Sequence, residues 1–251
     1  MIRKHSPGPL LAALLATVAA VVLPRPVAAQ EPWEIADVVE FVAEAYGGLG
    51  ALRDFPGFHA RGSVQSVVNG LSGRLRLDVS LQGDMRSEIS YPRRKEVRIL
   101  AGPLAWNGGH HGQRPSSRDM AESMRLQYHR LTAPFELVTA DPTELSFEGR
   151  GADGRLWIRR DWSRRSRTIY EIDPESGHIV RIRGEIGEGE DLLLFETEAQ
   201  DFRPVDGVLF PFRMTTIVGG NIAAETILDR VTREDHFEPE HFLPDGAAGD
   251  M

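Results

Sequence analysis

The chain has 251 residues, no cysteine, and 37 acidic against 29 basic side chains, which gives a formal net charge of −8. An acidic balance of this kind argues against nucleic acid as a partner. The lack of cysteine excludes disulfide bonds and a lipid-modified thiol, so stability has to come from packing. The length suits one all-β domain behind an N-terminal segment.

The N-terminal segment has the three parts of a secretory signal peptide. Basic Arg3 and Lys4 precede an apolar run from Leu10 to Leu23, and Val27-Ala28-Ala29 stands before a cleavage site. We therefore expect residues 1–29 to be a cleaved signal peptide and the mature protein to be periplasmic. The run is shorter than the roughly 20 residues that span a bilayer. A retained membrane anchor is the alternative interpretation.

Residues 31–46 have the pattern of an amphipathic helix. Pro32 suits its first turn, and Gly47-Gly48 suits its end. Apolar residues recur between them at helical spacing: Ile35, Val38, Val39, Val42 and Tyr46.

Strands are predicted for most of the remaining chain, most clearly from Leu71 to Leu81. There leucine, valine and glycine alternate with serine, arginine and aspartate, which places one apolar and one polar face on a single strand. Tight turns such as Asn69-Gly70 and Asp206-Gly207 favour antiparallel hairpins. We expect about eleven strands, at 58–68, 71–82, 85–91, 96–101, 143–149, 155–162, 167–173, 178–186, 191–202, 208–218 and 223–233.

A second helical segment interrupts the strands at residues 116–138. Ser116 and Asp119 have the spacing of a capping box, and Pro134 is expected to bend or end the helix. One apolar stripe runs along it: Met120, Met124, Tyr128, Leu131 and Phe135.

These elements predict a mainly β fold with capping helices (α+β), arranged as one antiparallel sheet. A sheet with a single apolar face must close on itself or be covered, and the two helical segments are suitable covers. We expect one domain over residues 30–242 and a flexible tail at 243–251, which is rich in Gly, Ala and Asp.

Several turn phrases carry a family resemblance: Ala45-Tyr46-Gly47-Gly48, Asn69-Gly70, Ala105-Trp106-Asn107-Gly108, the run 170–177 and the run 201–211. In this order they resemble the periplasmic lipoprotein-carrier superfamily, the LolA/LolB-like group of outer-membrane lipoprotein-sorting proteins. The resemblance covers roughly residues 34–242. It implies a strongly curved antiparallel sheet, an incomplete barrel around an apolar cavity that helices cap. The chain is longer than a compact carrier, and it lacks the cysteine of the lipid-anchored acceptor form.

The expected function is that of an exported soluble carrier that holds the acyl chains of a lipid or lipoprotein in the cavity. The candidate lining residues are apolar positions on the inner side of the sheet and on the second helix: Leu75, Leu77, Val79, Leu81, Met85, Ile89, Val97, Ile99, Met120, Met124, Phe210 and Phe212. Methionine side chains adapt to irregular apolar guests. The alternative for each residue is a sealed core without a cavity.

The polar residues indicate no enzyme, cofactor or metal. The pairs His110-His111 and His236 with His241 lack the spacing of a metal site, and Phe237 and Phe242 are expected to dock the second pair on the core. No Gly-x-Ser-x-Gly nucleophile motif is present.

An arginine cluster at residues 159–167, interleaved with Trp162, either contacts an anionic headgroup or forms a solvated hairpin turn, and we favour the turn. Two other functions stay open. One is an envelope-stress sensing module that binds a membrane-protein partner, and the other is a hydrolase whose site the motifs do not reveal.

Overall fold

Thirteen antiparallel strands form one open sheet in the computed structural model, which describes residues 33–246 except 188, 190 and 191. The strands are β1 Gly57–Ser66, β2 Ser72–Ser80, β3 Asp84–Ser90, β4 Lys95–Ala101, β5 Leu104–Gly109, β6 Gly112–Pro115, β7 Leu145–Arg150, β8 Leu156–Asp161, β9 Ser166–Ile172, β10 Ile179–Ile186, β11 Leu193–Val205, β12 Val208–Val218 and β13 Asn221–Arg233. Their order is β6-β5-β4-β3-β2-β1-β13-β12-β11-β10-β9-β8-β7. The predicted mainly β fold, a curved and incomplete barrel, is confirmed.

The strand count differs from the expected eleven because residues 104–115 form a further hairpin, β5 and β6. Its strands are short and contain three glycines, so they lack the alternation that marks the others. His110 and His111 are exposed at the tip of this hairpin. The expected signal peptide, residues 1–29, lies outside the described residues.

The two faces of the sheet follow from the predicted alternation in β2. Leu77 pairs with Ala60 and Val79 pairs with Phe58 across β1, and these four side chains are buried on the face that we call the inner face. Because strand side chains alternate, the intervening residues of β2 lie on the outer face. The apolar and polar sides of β2 are therefore those that the sequence predicts.

Four helices cover the inner face: α1 Ile35–Ala45, α2 Leu49–Arg53, α3 Arg118–Leu131 and α4 Ala133–Thr139. Helix α3 links the two edge strands β6 and β7, and it contacts β4 and β5 as well as β9 and β10. The predicted bend is a break at Thr132, with Pro134 in the first turn of α4. The N-cap of α3 is Ser117, while Ser116 donates to Asn107 at 2.8 Å. None of the helices within the described residues is long and apolar enough to cross a membrane.

Three of the turn phrases of the resemblance, those at 45–48, 170–177 and 201–211, come together at the end of α1. The amide of Ile179 donates to the Tyr46 hydroxyl at 3.2 Å, and the amide of Leu209 donates to the Tyr46 carbonyl at 3.2 Å. Gly177 packs so closely on Ala45 that an added Cβ would lie 2.7 Å from the Ala45 Cβ. Phrases that are far apart in sequence therefore form one packed junction between α1 and the sheet.

Residues 236–246, which we call the C-terminal strap, pack on the outer face. Phe242 is only 2% exposed and clusters with Val97 and Ile99. Arg86 donates to the Leu243 carbonyl at 3.0 Å and to the Asp245 carboxylate at 2.5 Å. Phe242 docks the segment as expected, but it does so on the outer face of the sheet. Residues 243–246 of the expected flexible tail contact the sheet, and residues 247–251 lie outside the described part.

Asp78 shows what the strap does to the outer face. By the alternation of β2 this aspartate should be solvated, yet it is 1% exposed. His59 Nδ1 lies 2.5 Å from Asp78 Oδ1, and His241 Nε2 of the strap lies 2.8 Å from Asp78 Oδ2. The strap thus covers Asp78 and supplies one of its hydrogen bonds, through His241. A buried carboxylate requires such partners.

Candidate ligand-binding cavity

A cavity of about 300 Å³ lies between α3 and the inner face; we call it the inner cavity. It is lined from β1 to β4 on one side, from β11 to β13 on the other, and by α3 above. Its apolar wall comes from residues on both halves of the sheet and on the helix: Val64, Leu75, Leu77, Ile89, Leu131 and Met214. Its volume lies at the low end of the roughly 300–1,000 Å³ of small-molecule pockets.

Three of the predicted lining residues border this space: Leu75, Leu77 and Ile89. Five others are buried in the main core next to it, namely Val79, Met85, Met124, Phe210 and Phe212. Leu81 is partly buried and packs against that core. The inner face therefore combines a filled core with an open cavity. Some of the predicted residues line the cavity and others form the sealed core, in different parts of the sheet.

Val97 and Ile99 do not line the inner cavity, because the register of β4 places them on the outer face. In that register Val97 pairs with Glu88 and Ile99 pairs with Arg86, and the strap covers both apolar side chains. The inner positions of β4 are instead Glu96, Arg98 and Leu100. Sequence reasoning assigned the apolar residues of β4 to the inside, whereas two charged residues lie there.

Met120 also lies outside the cavity lining. It is 37% exposed in the first turn of α3, while Met124, one turn further along the helix, is completely buried. The apolar stripe of the helix thus contacts the sheet from its second turn onward.

The polar part of the cavity contains two arginines that sequence reasoning missed. Arg98 Nη1 donates to Gln127 Oε1 at 2.8 Å, and Arg130 Nε donates to Thr197 Oγ1 at 3.2 Å. The signal that could have found this side is a polar stripe on α3, because Ser123, Gln127 and Arg130 have the i, i+4, i+7 spacing of one helix face.

The Arg130 guanidinium is held among apolar groups. It lies 5.7 Å from the centroid of the Phe195 ring, and an added Cβ at Gly184 would be 3.1 Å from Arg130 Nη1. Burial, followed by the positive charge of Arg98, lowers the pKa of Arg130 to about 10. The side chain therefore keeps its charge at neutral pH in a poorly solvated place.

Exposed apolar side chains lie at one end of the sheet, next to the end of the cavity that Val218 lines. They lie at the same end of the neighbouring strands β2, β1, β13, β12 and β11, and range from 38% to 80% exposed. We call them the apolar rim: Val67, Val68, Leu71, Leu193, Val218 and Ile222. Val218 belongs both to this rim and to the cavity lining.

The arginine cluster at 159–167 is mostly paired within the fold. Arg159 lies 2.9 Å from Glu148, Arg160 lies 2.9 Å from Glu136, and Arg167 lies 2.6 Å from a carboxylate of β10. These pairs agree with the hairpin interpretation that we favoured. No group of three or more potential metal ligands is present within the part of the chain that the structure describes.

Solved structures share this fold over most of the chain. A domain described as an outer membrane lipoprotein-sorting protein from Vibrio parahaemolyticus matches with a TM-score of 0.51 and 10% identity, over 84% of this chain and 97% of that one. A LolA superfamily protein from Nitrosomonas europaea matches with a TM-score of 0.54 and 10% identity, over 84% and 97%. A DUF1329 family protein from Desulfovibrio piger matches with a TM-score of 0.50 and 11% identity, over 83% and 96%.

The resemblance noted from the turn phrases is thereby confirmed at the level of the fold. No protein-family model matches the chain, and no curated protein matches its sequence.

Proposed function

We propose that the protein is an exported, non-enzymatic carrier that holds an acyl chain of a lipid or lipoprotein in the inner cavity. The observation that carries this proposal is the cavity itself, a space with an apolar wall contributed by both halves of the sheet. The similarity in fold to lipoprotein-sorting and LolA superfamily proteins supports it.

The binding energy would come from removing an acyl chain from water, which contributes roughly 0.8 kcal/mol per buried methylene. The side chains of Leu75, Leu77 and Ile89 provide the surface on one wall, and Met214 provides it on the other. Helix α3 covers this space, so entry and release of a long chain require α3 to move relative to the sheet. The break at Thr132 is a suitable place for that motion, because the helical hydrogen-bond pattern is interrupted there.

The apolar rim is the entrance on this proposal, because it lies next to the end of the cavity that Val218 lines. An exposed apolar surface next to a pocket also favours the second candidate function, a module that binds an envelope membrane protein. In that case the rim, and not the cavity, would be the binding surface. The two candidates therefore differ in which residues matter.

The test is native mass spectrometry of the protein purified from its own envelope, together with binding of a fluorescent fatty acid to the delipidated protein. We expect co-purifying lipid, and we expect Leu77→Gln to reduce its retention severalfold. Arg74→Gln, on the outer face of the same strand, is the matched control and should retain lipid like the wild type. A folded Leu77→Gln variant with unchanged lipid retention would contradict the carrier proposal. Robust esterase turnover by the purified protein would contradict the proposal that it is not an enzyme.

A further inference from the structure

The inner cavity is not uniformly apolar, and its positive charges are unbalanced. Arg98 and Arg130 both line it, and neither takes part in an ion pair with the carboxylates of residues 33–246 that the structure describes. One acidic residue, Glu96, also lines the cavity, but its carboxylate lies 3.0 Å from Arg94 Nη2. The charge of the two cavity arginines is therefore left for another partner.

Arg130 carries a buried donor with no acceptor. Its Nη1 atom is inaccessible and has no hydrogen-bond partner among the described residues, while its Nε is bound to Thr197. Buried donors are normally paired, and an unpaired charged one costs considerable free energy. Gly184 leaves the room in which this guanidinium lies, so the fold accommodates the charge without neutralising it.

Arg98 approaches from the opposite side of the cavity. It is on β4, an inner position next to Ser87 of β3, and Gln127 of α3 orients its guanidinium. Two arginines from separate elements thus line the same cavity as the apolar wall. The guanidinium group of arginine can donate two parallel hydrogen bonds to the oxygens of a carboxylate or phosphate group. Such charge-assisted hydrogen bonds are stronger than those between neutral groups.

We propose that Arg98 and Arg130 form an anion subsite that binds the carboxylate or phosphate head of an acyl amphiphile whose chain lies along Leu75, Leu77 and Ile89. The inference rests on the proposed carrier function and deepens it, because it specifies the ligand as a negatively charged lipid with its head inside the cavity. A lipid with a neutral head would leave both guanidiniums without a counter-charge.

The experiment measures displacement of the neutral probe N-phenylnaphthylamine from the delipidated protein by dodecyl phosphate, dodecanol and inorganic phosphate. We expect the wild type to bind dodecyl phosphate at least about tenfold more tightly than dodecanol, which is the effect of one charge-assisted hydrogen bond. Arg130→Gln should lower this preference to about twofold or less while dodecanol binding is retained. Arg118→Gln, exposed in the first turn of α3, should keep the full preference.

The outcomes separate the two proposals. Failure of both dodecyl phosphate and dodecanol to bind would contradict the carrier function itself. Equal binding of the two by the wild type, or an unchanged preference in a folded Arg130→Gln variant, would overturn the anion subsite alone. Inorganic phosphate binding as tightly as dodecyl phosphate would overturn an amphiphile as the ligand. Should Arg130→Gln fail to fold, the same comparison in Arg98→Gln decides.

Discussion

Gly47 lies against the carbonyl of Gly207, so closely that a Cβ on Gly47 would be 1.9 Å from the Gly207 oxygen. Gly47 also has a φ of +112°, in the region that favours glycine. This contact holds the end of α1 against the β11–β12 turn, next to the hydrogen bonds of Tyr46. Both glycines lie within the turn phrases that carry the family resemblance.

Replacing Gly47 with alanine should therefore be strongly destabilising. We expect a loss of about 2–4 kcal/mol in the free energy of unfolding, from backbone strain and a clash with rigid backbone. Gly48→Ala is the matched control, because Gly48 has a φ of +95° but open space around its Cβ position. Urea denaturation of both variants measures the difference, and equal losses would show that the Gly207 contact contributes nothing.

Removal of the hydroxyl group should lower the stability at one buried tyrosine and not at another. Tyr46→Phe removes the acceptor of the Ile179 amide, and we expect a loss of about 1 kcal/mol. The Tyr170 hydroxyl is buried and has no partner within the described part of the chain. Tyr170→Phe should therefore be neutral or stabilising. Thermal unfolding of the two variants tests the pair, and a Tyr170→Phe loss as large as that of Tyr46→Phe would contradict it.

Truncation of a core residue and truncation of a cavity-lining residue should differ in their effects on stability and on lipid retention. Met85 is fully buried in the main core, and Met85→Ala should cost about 2–5 kcal/mol of stability. Ile89, four residues further along β3, borders the inner cavity, so Ile89→Ala removes fewer packed contacts. We expect it to cost less than half as much stability and to weaken lipid retention more. Denaturation and fatty-acid binding on the same samples check both parts.

His178 should make the protein less stable in mild acid. Its ring lies 4.5 Å from that of Phe202. Burial lowers the pKa of His178 below the ordinary 6.5, while the charge of Asp173 acts in the opposite direction. The unfolded chain therefore binds the proton more readily than the folded one. Stability from this group is complete above pH 6.5 and is lost as the pH falls through the native pKa.

The measurement is the free energy of unfolding of wild type and His178→Gln between about pH 7 and about pH 5. We expect the decline with falling pH to be smaller in the variant than in the wild type. An identical decline in both proteins would assign the acid sensitivity to other groups.

Much of the architecture follows from the sequence alone. The alternation of β2, the hairpin turns, the helical stripe broken near Pro134 and the turn phrases predict a helix-capped antiparallel sheet with Leu77 and Val79 inside. These signals are local, because side-chain periodicity and turn conformation depend on neighbours along the chain.

Only the tertiary structure decides which way β4 faces and what meets inside the cavity. In β4, Val97 and Ile99 alternate with Glu96 and Arg98, but alternation does not say which face is the inner one. Its pairing with β3 turns Arg98 inward and Val97 outward, because a register shift of one residue exchanges the two faces. The C-terminal strap then covers the outer apolar residues, and α3 brings Arg130 to the same cavity. The polar stripe of α3 is a local signal for one side of the cavity, but which groups it faces across the cavity is set by packing between elements far apart in sequence.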